Sequence, residues 1–139
     1  MYELSFKMIS ATAGCIINYF FGGWSELLGF FTLTIIIDYV TGILAALKTG
    51  QGLSSSIGFW GITKKGLMLV VILLAHRIDL LFEVDYVMIG AIYFYLANEL
   101  ISIAENYARI GLPMPEQFKK IISAMKSRSD NSTDSQKSG

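Results

Sequence analysis

Four long apolar runs, two pairs of them separated by only a few residues, constrain this chain more than any other feature. They occupy about residues 8–24, 27–47, 62–82 and 86–104. A helix needs roughly 20 mostly apolar residues to cross a hydrocarbon core ~30 Å thick. The runs are continuous, whereas barrel strands need only ~10 residues with alternate positions polar. The pattern therefore predicts an all-α integral membrane protein with three to four transmembrane helices and short loops. Composition agrees, with 53% hydrophobic and only 16% charged residues in 139, where a soluble domain carries about 25% charged. In water so small a chain would leave much of that apolar excess exposed.

The first run, bounded by Lys7 and Glu26, holds no charge and ends in Tyr19, Phe20, Phe21 and Trp24. Those aromatic residues suit the headgroup level. The run is short and ends at Gly22-Gly23, so it either spans or lies in the interface; local thinning can accommodate a short span. It opens with Met-Tyr-Glu rather than a basic segment, and cleavage as a signal peptide is not expected. The lone Cys15 reads as a small apolar residue within this run, and a single cysteine makes no intramolecular disulfide.

Loop charges test the span count. The first and third gaps carry Glu26, and Glu83 with Asp85, but no Lys or Arg. The second gap region holds Lys48, Lys64 and Lys65, and Arg109, Lys119, Lys120, Lys126 and Arg128 follow the fourth run. This alternation is what the positive-inside rule requires of four spans with both termini cytoplasmic. With only three spans the C-terminus would still be cytoplasmic. Zero formal net charge, with basic residues confined to the edges of apolar runs, argues against nucleic acid as a partner.

The chain divides into a helical bundle over residues 1–111, a basic amphipathic cytoplasmic helix over 112–126, and a disordered tail over 127–139. In the second part Phe118, Ile121, Ile122 and Met125 follow helical spacing, with Lys119, Lys120 and Lys126 off that stripe. Such a helix can lie on an anionic inner leaflet, or pack on the protein's own loop. From Ser127 onward no large apolar residue remains, the composition of a disordered end.

Polar residues inside the runs are costly, at ~2.5–3.5 kcal/mol per charge on the insertion scale. The candidates are Asp38, His76, Arg77, Asp79, Asn98 and Glu99. Asp38 is the deepest and reads either as part of a water-lined path or inter-helix pair, or as a structural hydrogen bond to a Ser, Thr or Tyr. His76 and Asp79, three apart, share a helix face. Lys65 and Glu99 lie about one turn, ~5 Å, apart in depth and can pair; Asp38 and Arg77 need the full reach of the arginine. Gly42 and Ala46 offer a small-residue face for close packing. No nucleophile, metal cluster or phosphate loop accompanies these groups, so no catalytic, cofactor-binding or metal-ligating residue is expected.

Five segments in order then resemble the signature of a known family: Ile37-Asp-Tyr-Val-Thr-Gly-Ile-Leu-Ala-Ala-Leu-Lys-Thr-Gly, Leu53-Ser-Ser-Ser-Ile-Gly, Gly61-Ile-Thr-Lys-Lys-Gly, Ala75-His-Arg-Ile-Asp, and Asn98-Glu-Leu-Ile-Ser-Ile-Ala-Glu-Asn with Gly111-Leu-Pro-Met-Pro. They are similar to the holins of Gram-positive phages, the toxin-secretion and phage-lysis group, with Asp38, Tyr39, Thr41, Gly42, Gly58, Gly61 and Lys65 as signature positions. The resemblance covers roughly residues 27–126. It implies a non-enzymatic protein that forms homo-oligomers in the bacterial cytoplasmic membrane and opens timed lesions. Through these an endolysin, or a secreted toxin, leaves the cytoplasm. It implies endolysin as a functional partner and an antiholin as a regulatory one. The residues alone leave three other readings open: a small ion channel or transporter using Asp38 and Glu99, a membrane adaptor recruiting a partner through its basic helix, or an antiholin.

Overall fold

In the computed structural model, which describes residues 1–137, each apolar run forms one helix: α1 (Tyr2–Phe21), α2 (Glu26–Lys48), α3 (Ser55–Phe82) and α4 (Val87–Ile110). A fifth, α5 (Glu116–Lys137), follows. No strand occurs among the described residues. The first four helices are long and apolar enough to cross a membrane.

Local chemistry sets the ends. α1 stops at Gly22 and Gly23, whose φ of 73° and 109° are left-handed values that cost glycine little. The run therefore breaks before Trp24. The hydroxyl of Ser25 accepts the N–H of Leu28 at 3.1 Å and opens α2. At the other end of the bundle Gly111, φ 88°, closes α4. The N–H of Leu112 turns back to the Tyr107 carbonyl at 3.0 Å, satisfying a terminal carbonyl that the helix cannot.

Three helix bounds differ from the apolar runs for one reason: hydropathy locates the hydrocarbon core, but the hydrogen-bond ladder continues into the headgroup region. α1 begins at Tyr2 rather than residue 8, α3 at Ser55 rather than 62, and α4 ends at Ile110 rather than 104. α5 likewise runs past 126 to Lys137. Residues 127–137 of the expected disordered tail are thus helical, and 138–139 lie outside the described residues.

The bundle is built on a repeat of three and four. α2 buries Phe31, Thr34, Asp38, Thr41 and Ala45, and α4 buries Ile92, Leu96, Glu99, Ile103 and Asn106. α3 buries Ile72, Ala75 and Asp79, with partly buried Lys65 and Met68 extending the same face. This 3.5-residue period keeps one seam facing its neighbour along the full length. α4 packs against both α2 and α3, while α1 rests on α3. Leu28, Phe31, Ile72, Ile92 and Leu96 form the apolar core. α2 and α4 run parallel, because Asp38 meets Asn106 and Gln51 meets Arg109 further along both chains.

Outside that seam the helices remain apolar. Leu33, Ile36, Val40 and Leu44 form an exposed stripe on α2, the surface that lipid rather than water would solvate. α1 has no buried residue at all, and only Ile17, Phe20 and Phe21 are half-buried against α3.

Candidate functional site

Each of α2, α3 and α4 places a charged residue at the same depth on its buried face. Asp38 lies ten residues from the end of α2, Lys65 ten from the start of α3, and Glu99 eleven from the end of α4. At 1.5 Å per residue all three stand roughly 15 Å from the same end of the bundle. Equal depth brings them together. Lys65 Nζ donates to Asp38 Oδ2 at 2.7 Å and to Glu99 Oε2 at 2.6 Å. Glu99 is buried, its side chain only 3% exposed, and those of Asp38 and Lys65 are nearly so, at 11% and 15%.

Asn106 completes the cluster. Its amide donates to the Asp38 carboxylate at 3.0 Å, to the Asp38 carbonyl at 3.2 Å and to the Thr41 hydroxyl at 3.1 Å. No buried side-chain N or O among the described residues lacks a partner. Two carboxylates share one ammonium, so the cluster carries a formal excess of one negative charge. Completing such a network matters, because an unpaired buried charge costs far more than an unmade bond in water.

A cleft of about 800 Å³ adjoins the cluster. Six of the seven signature positions line it: Asp38, Tyr39, Gly42, Gly58, Gly61 and Lys65. The seventh, Thr41, is buried beneath and bonded to Asn106. A Cβ on Gly42 would sit 3.6 Å from the Asn106 amide, so α2 and α4 approach closely here. Ala46 lines the same cleft, while Ala45 is the fully buried small residue of this helix.

The remaining polar candidates form no part of this cluster. Asp79 is buried at the opposite end of α3, where its two oxygens accept the N–H groups of Val87 and Met88, both at 2.9 Å. It thereby caps α4 from a neighbouring helix, placing negative charge at a helix N-terminus. Arg77 lies 3.7 Å above the Tyr19 ring, a cation–π contact that holds α1 on α3. The possible reach of Arg77 to Asp38 therefore does not occur; Lys65, level with Asp38 and more than three turns, roughly 18 Å, from Arg77 along α3, takes that place. His76 lies against the α1–α2 turn, where a Cβ on Gly22 would come within 2.8 Å of its Cε1. Asn98 is exposed on the outer face of α4. Asn106 went unremarked as a polar candidate because hydropathy ends that run at 104. Its signal was present: it follows Glu99 by seven residues, on the same face.

Four membrane-length helices, three of them joined by a buried ion cluster, define a small multi-pass membrane protein. Comparison with known proteins then narrows the class. Residues 15–127 match the profile of the bacteriophage holin family. An uncharacterised protein of Halalkalibacterium halodurans is 39% identical over 130 residues, covering 89% of this chain and 96% of that one. An uncharacterised 14.9 kDa protein from the nagH 3′ region of Clostridium perfringens is 39% identical over 117 residues, 83% and 88% of the two chains. A "Probable holin" of Bacillus phage phi105 is 34% identical over 100 residues, 71% of this chain and 73% of the phage protein. No solved structure matches. The chain belongs to the bacteriophage holin family.

Proposed function

We propose that this protein oligomerises in the bacterial cytoplasmic membrane and opens timed lesions that release an endolysin, or a secreted toxin, to the cell wall. The observation that carries the reading is the Asp38–Lys65–Glu99 cluster inside a bundle of the holin family. Replacing a buried ion pair by apolar residues is often neutral or stabilising by ~1–4 kcal/mol. Membrane packing alone gives the chain no reason to keep three charges at mid-depth. Charges that satisfy one another in the closed bundle, and face water when the helices separate, supply that reason.

In this reading the closed state holds the cluster between α2, α3 and α4, and the adjoining cleft admits water to its edge. On triggering, the same polar faces line the lesion, and the apolar faces meet lipid or neighbouring subunits. The alternation of loop charges supports a topology with both termini and the Lys48–Ser55 connection in the cytoplasm. No chemistry beyond this rearrangement is required of the protein, with endolysin a functional partner and an antiholin a regulator.

The test is to express the chain in bacteria with a separately expressed cytoplasmic endolysin. Abrupt loss of membrane potential, then lysis only when both are present, is the expected result. Continued growth with an intact potential would sink the lesion-forming role. Delay of a second holin's lysis, with no lesion of its own, would identify an antiholin instead.

A further inference from the structure

We propose that α5 docks on an anionic phospholipid surface, with Phe118, Ile121 and Ile122 inserted at the headgroup boundary. Two occupants of this apolar stripe were open from sequence, the membrane and the protein's own loop. Phe118 and Ile121 remain 53% and 55% exposed with the chain fully folded, and Leu112 beside them is 51% exposed. The rest of the protein therefore leaves Phe118 and Ile121 uncovered, with Ile122 beside them partly buried. The setting of the stripe names the occupant.

Geometry keeps α5 near the bilayer. It follows the end of α4 after residues 111–115 and packs against that helix, and even a fully extended five-residue link reaches no more than about 17 Å. Charge completes the match. At 100° per residue Lys119 flanks the apolar stripe, whereas Glu116, its 3.3 Å exposed partner, and Lys120 lie on the far side. That partnership is between well-exposed groups and holds the lysine only weakly. The same end of the bundle also presents exposed Lys48, Lys64 and Arg109. An apolar stripe flanked by cations is the arrangement that binds an anionic leaflet, each cation near the surface adding to the attraction.

This inference rests on the membrane-spanning reading, and on the proposed topology only for which leaflet is met. The experiment uses the full chain, with Cys15→Ser and a polarity-sensitive fluorophore on Ile121→Cys. It is reconstituted in phosphatidylcholine vesicles and in phosphatidylcholine–phosphatidylglycerol vesicles. Blue-shifted emission, quenched by brominated lipid tails and only in the anionic vesicles, is expected. Lys119→Gln should weaken docking about fivefold, Lys120→Gln less, and high salt should remove the dependence on lipid charge. Emission of a water-exposed probe in both vesicle types would overturn the inference. So would shielding that follows protein density rather than lipid charge, which would assign the stripe to a second copy. Protease access to the C-terminus in oriented vesicles separates the two readings: a reversed orientation with docking intact overturns the topology alone.

Discussion

Lys65 on α3 donates to Glu99 on α4 at 2.6 Å, and its other hydrogen bond, 2.7 Å long, reaches Asp38 on α2. One ammonium therefore ties three helices at one depth. Removing it should be much worse than removing the whole cluster. Lys65→Leu leaves two buried carboxylates facing each other, and a loss of about 3–5 kcal/mol is expected. The triple variant with Leu at 38, 65 and 99 should recover most of it. Reversible unfolding in mixed micelles measures both; equal stability of the single variant and the parent would contradict the account.

Asn106 should be the next most sensitive position. Asn106→Ala removes the amide that serves Asp38 and Thr41 and leaves their oxygens short of a donor. A cost of about 1–3 kcal/mol is expected. In the triple Leu background Asp38 is absent, so the same substitution should cost clearly less. A double-mutant cycle reads that coupling directly.

Asp79 serves the opposite end of the bundle. Asp79→Ala uncaps α4 and should cost about 0.5–2 kcal/mol, with faster hydrogen exchange at Val87 and Met88 and little change around Asn106. Uniform acceleration along α4 would mean that the carboxylate supports the whole bundle rather than one helix end.

Gly22 meets two constraints that substitution can separate. Gly22→Ala places a Cβ at φ 73° and 2.8 Å from His76 Cε1. The left-handed backbone alone costs about 1–2 kcal/mol, and the contact adds to it. Adding His76→Ala should relieve the contact and leave the backbone cost. Full recovery in the double variant would show that backbone conformation is not limiting there.

The apolar runs made the four helices legible, because burying an unpaired backbone in lipid leaves a helix as the simplest solution. They did not make the ends legible, since Ser55 to Gly61 and Glu105 to Ile110 continue the helical hydrogen-bond ladder past the apolar stretch. The Lys65–Glu99 contact followed from depth. Asp38 could not be assigned the same way, because depth does not say which helices are neighbours. Parallel packing of α2 on α4 turns Asp38 toward Lys65 and Asn106 rather than toward Arg77. The repeat of three and four that links Phe31 to Ala45, and Ile92 to Asn106, was present in the sequence. Read as a seam, it would have placed Asn106 with Glu99 before any coordinates.

The most direct test of the account concerns time. The parent and the triple variant with Leu at 38, 65 and 99 should be expressed at equal membrane levels beside a cytoplasmic endolysin, and the interval to loss of membrane potential recorded. A bundle that inserts and folds normally but triggers much later, or not at all, is the expected result. An unchanged interval would show that parting this ion cluster is not the step that opens the membrane.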